Sequence, residues 1–469
     1  MKDISKNVQK VMAVFLFLFI AMISYLMYVY TFDGEKIEAS VYNNRKWVER
    51  SNTVRGDILD RNGNILVTSK GVTDGIQELE YKGGAAFAHV LGYMDSQYGL
   101  TGIQNRYDKE LMGKTDTFIP GEFGKKDKGY NVETTLDMSL QQAAYSLMGD
   151  QKGSVVAIDP ESGEILTMVS TPSFDPNQLK SQWQNLNVNE NSPLLNRSVA
   201  GMYPPGSTFK IITAVSALEN LDGVINRRFD DKGKIVFNDK DSLSNSGGKA
   251  WGNIGLEDAF AYSSNVVFGT LGMDLGNDKL KETAEKFYFN KDIPANGTLI
   301  ENSRFPELNK HQKGEIAQSA IGQSSILATP IEMALVSSTI ANDGVMMKPT
   351  LVKGILNDDG KAIKSTEPEE LTTVTTPEIA NTVKGFMKQV VNRGTGTTAV
   401  VKGVEVYGKT GTADHSEVDG QKEPHSWFVG FAEKNGKKLA FAIVLEEGGA
   451  GSQKTGKIVR GLVQNYFNR

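Results

Sequence analysis

Apolar positions along this chain fall into three patterns, and each predicts a different kind of element. The first is an unbroken run, VMAVFLFLFIAMISYLMYVY, from Val11 to Tyr30 without a single charge. That is the length a bilayer core needs, so a membrane-spanning helix is expected over 11–30. A cleaved leader has a shorter apolar stretch and a small-residue cleavage site, whereas the nearest small residues, Ala39 and Ser40, follow charges. A retained anchor is expected. Lys2, Lys6 and Lys10 precede the run, and Asp33 and Glu35 follow it. This predicts a short cytoplasmic tail over 1–10, although Lys36, Arg45, Lys46 and Arg50 dilute the charge asymmetry. No second run of this kind follows, so the rest is expected to be one translocated ectodomain.

The second pattern is β-rich runs around turn residues. Val54 to Val67 predicts two short strands about Asn62-Gly63. Its charges Arg55, Asp57, Asp60 and Arg61 are expected to form a solvated ion-pair network. Beyond it, HVLGYM predicts a strand and TGIQNRYDKELMG a short helix, and the Gly- and Lys-rich stretch Gly113 to Asn131 predicts a domain boundary. Gly153 to Ser170 predicts a hairpin about Asp-Pro-Glu-Ser-Gly, and three late strands are expected at Val404–Thr412, Trp427–Ala432 and Leu439–Glu446. The last two flank Asn435-Gly436 and should pair antiparallel.

The third pattern is helical. Asp137 is a plausible cap for a helix running through Ala144. After Ser207, the positions Ile211, Ala214, Val215 and Leu218 share one helical face. A mostly helical region extends to about residue 345, and a closing helix carries Ile458, Leu462, Val463 and Phe467. The sum is an α+β arrangement, an antiparallel sheet contributed from both ends of a domain with helices inserted between. The expected units are a spacer or docking region over 31–130 and a catalytic domain over 131–469.

Composition narrows the function. The chain has 469 residues, a net charge of −5 and no cysteine. The acidic balance argues against a nucleic-acid surface. Without cysteine there is no thiol nucleophile, disulfide or cysteine-held metal. The four histidines, His89, His311, His415 and His425, lack metal-ligand helical spacing, so structural or surface roles are expected. No metal and no cofactor is expected.

Candidate chemistry centres on Tyr203-Pro-Pro-Gly-Ser207-Thr-Phe-Lys210. A Pro-Pro-Gly turn cannot continue a helix, so a new one is expected to begin at Ser207. Ser207 and Lys210 then share a face of its first turn. A serine needs a neighbouring base, and a buried lysine beside another cation can supply one. Alone, this spacing is common and most often marks a helix cap followed by a surface lysine. Two further motifs change that: Tyr262-Ser263-Ser264-Asn265 and Lys409-Thr410-Gly411-Thr412. Lys409 can bind a substrate carboxylate and depress the pKa of Lys210. Ser263 can relay a proton, and Asn265 can hold a substrate amide. Thr410, Gly411 and Thr412 offer a substrate-binding strand, with backbone N–H groups of Ser207 and Thr412 as an oxyanion hole.

The three motifs in this order resemble those of the serine–lysine penicillin-recognising family. The apolar anchor, RGDILDRNG, YPPGSTFK, YSSN, YGKTGTA and HSWFVGFA together resemble a class B penicillin-binding protein over nearly the whole chain. The resemblance implies the penicillin-binding transpeptidase fold and a peptidoglycan D,D-transpeptidase outside the cytoplasmic membrane of a bacterium. Its partners would be peptidoglycan stem peptides, β-lactams acylating Ser207, and a membrane glycan polymerase. Two positions depart from the family: Ser324 stands where glycine is common, and Gln104 where glutamate is usual.

Rival readings remain. Gly403-Val-Glu-Val-Tyr-Gly-Lys-Thr410 matches the phosphate-loop pattern, but its middle reads as strand and no helix start follows. A D,D-carboxypeptidase, a β-lactamase or a β-lactam sensor would keep the fold. A lactamase of the glutamate-using kind needs a glutamate that the sequence does not single out. A sensor would be expected to carry a signalling region before the span, and only the residues up to Lys10 precede it. A scaffold that has lost catalysis is the third alternative, against which the intact motifs argue.

Overall fold

Strong turn chemistry and alternating apolar positions build two main sheets, one of which crosses the expected boundary near residue 130. The computed structural model describes residues 2–33, 47–50, 53–73, 76–115, 128–239, 241–413 and 423–468. Most of the expected boundary stretch, His415 and the juxtamembrane positions Glu35, Lys36, Ala39, Ser40, Arg45 and Lys46 lie outside them.

The N-terminal apolar run is helical. α1 (Lys2–Tyr28) continues into a wider turn over Val29–Asp33. The span Lys6–Phe32 is long and apolar enough to cross a membrane, and its large side chains, such as Phe15 and Phe17, are exposed along it. A helix apolar on every face needs lipid or protein around it.

β1 (Ile58–Leu59) and β2 (Ile65–Thr73) pair antiparallel about the Asn62-Gly63 turn, and β3 (Ile76–Tyr81) follows. Two of the four charges on this hairpin are not solvated as expected, whereas Asp57 and Arg61 form partly exposed ion pairs with Lys128 and Glu164. Arg55 and Asp60 are buried. Arg55 Nη1 donates to Asp108 at 2.6 Å, and Arg50 grips the same carboxylate from the other side at 2.7 Å. Asp60 closes its own turn, accepting from the backbone N–H of Asn62 and Asn64 at 2.8 Å each. Both pairs fix the chain's path, and that explains charge in a place that excludes water. HVL also departs from expectation: Ala88–Leu91 is a helical turn that ends at Gly92, whose φ of 74° breaks it. TGIQNRYDKELMG is helical, over Gly102–Arg106 and Asp108–Leu111.

β4 (Asn131–Thr134) runs parallel to β1. α2 (Met138–Met148) is capped by Asp137, whose side chain accepts from Leu140 N at 2.8 Å. β5 (Gly153–Ile158) and β6 (Ile165–Thr171) form the predicted hairpin. The stretch 203–209 leads into α3 (Lys210–Asn220). The next region mixes short ribbons with helices: β7 (Arg228–Asp231), β8 (Gly252–Gly255), α4 (Leu256–Ala261), α5 (Asn265–Lys286) and α6 (Pro330–Ala341). Beyond lie β9 (Val352–Leu356), β10 (Ala362–Ser365) and α7 (Pro377–Asn392). β11 (Glu405–Ala413), β12 (His425–Lys434), β13 (Lys437–Leu445) and α8 (Gln453–Phe467) close the chain.

The larger sheet, with strand order β10-β9-β4-β1-β2-β3, takes strands from both sides of residue 130. The catalytic sheet has the order β11-β12-β13-β5-β6. Every residue of β5 and β6 is buried because both faces are covered. Val155 and Ala157 face a core shared with α2 and α8, while Val156 and Ile158 face the core that holds α6. On β13, Ala440 and Ala442 point toward that second core, and Phe441 and Ile443 toward the first. Small side chains let α6, itself buried on all sides, lie close against the sheet. β11 stands at the sheet's edge, and that edge borders the site.

Candidate active site

Ser207 sits in a single 3₁₀ turn, Gly206–Phe209, that feeds directly into α3. The regular helix therefore begins at Lys210, three residues later than the Pro-Pro-Gly break suggests. Ser207 is half-buried, while its neighbours Gly206, Thr208, Phe209 and Lys210 are buried. The turn is held from several sides. Tyr203 N donates to Ala328 O at 3.0 Å, Trp427 Nε1 to Pro204 O at 3.0 Å, and Gly206 N to Gly322 O at 2.9 Å. The Tyr203 hydroxyl donates to Glu446 at 2.7 Å, and Arg197 binds the same carboxylate at 2.7 Å. Gly206 has a φ of 54°, and a Cβ there would lie 2.6 Å from Thr412 O. Only glycine allows this turn to press on β11. Gly411 serves the same contact, since its missing Cβ leaves room for Pro205 O and the Thr208 methyl.

Lys210 is fully buried at the base of the cleft. Its Nζ donates to Ser263 O at 2.8 Å, Ser263 Oγ at 3.1 Å and Asn265 Oδ1 at 2.8 Å. Burial pushes its pKa well below the ordinary lysine value, and the charge of Lys409 pushes further, against an opposing pull from Asp231. In its neutral form the amine keeps two of these three donated bonds and frees a lone pair for the serine proton. Lys409 is also fully buried, and burial lowers its pKa to about 7. Its Nζ donates to Ser263 Oγ at 2.8 Å and Thr410 O at 3.2 Å. Thus Ser263 Oγ lies between two lysine nitrogens, on a residue whose φ of 60° is unusual for a side chain.

The three sequence motifs meet in one place. Ser263, Asn265 and Lys409 surround Lys210, and Thr412 lies against the turn of Ser207. Asn265 is engaged at both ends, its Nδ2 donating to Ser244 O at 2.8 Å. Thr410 Oγ1 pairs with Thr395 Oγ1 at 2.5 Å, and Thr412 Oγ1 accepts from Gly451 N at 3.3 Å. The phosphate-loop match fails on geometry. Residues 405–413 form one strand, in which Lys409 pairs with Val429, so no loop cradles a phosphate. Sequence reasoning missed Asp231 and Asn245, which lie directly behind the Ser263 loop.

A half-buried serine in the turn before a fully buried lysine, whose amine is held by Ser263 and Asn265, is the arrangement of a serine acyltransferase of the serine–lysine kind. Comparison with known proteins gives the family. Residues 153–464 match the penicillin-binding protein transpeptidase domain, and residues 55–132 match the penicillin-binding protein A dimerisation domain. The chain is 32% identical to the peptidoglycan D,D-transpeptidase PbpA of Mycolicibacterium smegmatis, covering 96% of this chain and 95% of that one. It superposes with a TM-score of 0.80 on the D,D-transpeptidase domain of a peptidoglycan glycosyltransferase from Eggerthella lenta, at 34% identity over 89% of this chain and 99% of that one. The penicillin G acyl-enzyme of M. tuberculosis penicillin-binding protein A gives a TM-score of 0.81 at 29% identity, over 88% and 99% of the two chains. This chain belongs to the penicillin-binding protein transpeptidase family, in its class B form.

Proposed function

We propose that this protein is a peptidoglycan D,D-transpeptidase that cross-links stem peptides through an acyl-enzyme on Ser207, and that β-lactams acylate the same serine. The observation that carries the reading is the buried Lys210 amine, held against Ser263 and Asn265 beside the Ser207 turn. Neutral Lys210 takes the Ser207 proton as Oγ attacks the carbonyl of the penultimate D-Ala. The oxyanion then lies near the backbone N–H groups of Ser207 and Thr412, which the Gly206–Thr412 contact brings together. Ser263 Oγ, touching both lysines, passes a proton to the departing D-Ala amine. The acyl group leaves with an amine of a second stem peptide by the reverse path. β11 at the sheet edge is suited to hold an extended peptide alongside Thr410, Gly411 and Thr412.

The apolar α1 supports a single-pass membrane anchor, and the substrate's location supports a catalytic domain on the outer side of the cytoplasmic membrane. Residues 31–130 would then act as spacer and docking surface for a membrane glycan polymerase, with 131–469 as the catalytic domain. A fluorescent penicillin tests the chemistry. The expected result is a lasting adduct on the native protein and none on a folded Ser207→Ala variant. A donor–acceptor assay then separates cross-linking from hydrolysis. Rapid penicillin turnover without an adduct would favour a lactamase, and neither adduct nor turnover would leave a scaffold.

A further inference from the structure

We infer that Asp231 is a positioning residue for acylation, acting through Asn245 and Ser264 on the loop that carries Ser263 and Asn265. Asp231 is fully buried at the end of β7. Its carboxylate accepts from Gly233 N at 2.8 Å, from Asn245 Nδ2 at 2.8 and 2.9 Å, and from Ser264 Oγ at 2.6 Å. Asn245 and Ser264 are both buried, and the bonds to Lys210 Nζ come from Ser263 and Asn265. Asn245 and Ser264 instead cap α5: Ser264 Oγ accepts from Val267 N at 3.0 Å, while Asn245 Oδ1 accepts from Asn265 N at 2.7 Å and Val266 N at 3.1 Å.

The consequence for the loop is geometric. Ser263 holds a left-handed backbone, which persists only where its surroundings over-determine it. On its C-terminal side, Ser264 and Asn265 are each tied to the Asp231–Asn245 pair. A charged acceptor makes the strongest such bonds, and here one carboxylate orients both caps. Asn265 in turn presents Oδ1 to Lys210 at 2.8 Å, and Ser263 presents Oγ at 3.1 Å. Asp231 therefore fixes two of the acceptors on which the base sits.

It also acts by charge. The charged groups bearing on Lys210 are Lys409 from β11 and Asp231 from β7, and they pull in opposite directions. The remaining partners, Ser263, Asn265 and the ring of Phe268, are neutral. Without the Asp231 charge, the Lys409 field is unopposed and Lys210 loses its proton at still lower pH.

The inference rests on the acylation reading, so the native protein must first form the penicillin adduct; failure there would overturn that reading and this one together. The test compares Asp231→Asn with the native chain for the acylation rate constant, the initial binding constant and the pH profile, alongside thermal melting. The expected result is a loss of about tenfold or more in the acylation step, little change in initial binding, and an acid limb displaced to lower pH. Ser264→Ala, which keeps the charge and removes one cap, should lower the acylation step without displacing that limb. It also serves if Asp231→Asn does not fold, since normal acylation by a folded Ser264→Ala would overturn the positioning role. An Asp231→Asn variant with a native rate and an unmoved limb overturns the inference. So does a rate loss that vanishes at temperatures where the variant is fully folded, because that is a merely structural role.

Discussion

Lys409 Nζ donates to Ser263 Oγ at 2.8 Å, with the lysine wholly out of solvent. The same hydroxyl takes a bond from Lys210 at 3.1 Å, so two amines share one oxygen. Burial lowers the pKa of Lys210, and repulsion from the Lys409 charge lowers it further, so both favour its neutral form. The base is made by its neighbours.

Lys409→Met should abolish acylation and stabilise the protein at neutral pH. A buried lysine whose pKa falls from the ordinary 10.5 to about 7 opposes folding while the unfolded chain keeps its proton. Its folded pKa is depressed, so native stability rises with pH between about 7 and 10.5, and below about 7 the penalty is full and constant. The variant lacks this slope. A gain of about 1–3 kcal/mol near pH 7, narrowing as pH rises toward 10, is the expected outcome of denaturant titrations. A variant less stable than the native chain at pH 7 would contradict it.

Gly206→Ala should cost acylation more than stability. The new methyl meets Thr412 O at 2.6 Å on a backbone with φ of 54°, so the Ser207 turn must lift from β11. A displacement of about 1 Å in a reacting group costs on the order of a hundredfold in rate. Stopped-flow acylation beside a melting curve measures both, and an unchanged rate would show that the contact is not needed.

Glu332→Gln should flatten the dependence of stability on pH. Glu332 is fully buried in α6, neither carboxylate oxygen meets hydrogen-bond geometry, and burial raises its pKa to about 8 against an opposing influence from Ser303. A raised folded pKa gives stability that is present below about 4.5 and lost as pH rises through about 8. Melting temperatures of the native chain should fall across this window, and those of the variant should fall less. Equal slopes would mean that Glu332 titrates normally.

Elements with local signatures were legible in the sequence. Asn435 and Gly436 both take positive φ, 53° and 78°, as an Asn-Gly hairpin requires, and β12 and β13 pair across them. Asp137 caps α2 as its spacing predicts. The signal for α7 is equally plain once seen: Thr376 caps, Pro377 opens, and Val383, Phe386, Met387 and Val390 share a buried face. Charge on the first hairpin misled, because a charged side chain is read as solvated unless its partner is visible. The partner of Arg55 is Asp108, 53 residues away. The motifs of the site were legible through resemblance; local pattern could not bring Ser263 to Lys409 across 146 residues. Asp231 and Asn245 carried no signal, being ordinary polar residues, one at the end of a short ribbon and the other just past one. Ser324, the departure from glycine, keeps a glycine-like φ of 67°.

The sheet that joins β9 to β4 has a consequence for how the protein is made. β4 ends at Thr134, but its partner β9 begins only at Val352, more than two hundred residues later. At about 5–20 residues per second, roughly 10–45 s separate the synthesis of these two strands. Throughout that interval the growing chain holds an open β-edge beside the membrane, and the N-terminal region cannot reach its final form. About two-thirds of residues 131–469 are synthesised before this sheet is complete, so cutting the gene at residue 130 would leave β1 and β4 in separate fragments, each without its partner.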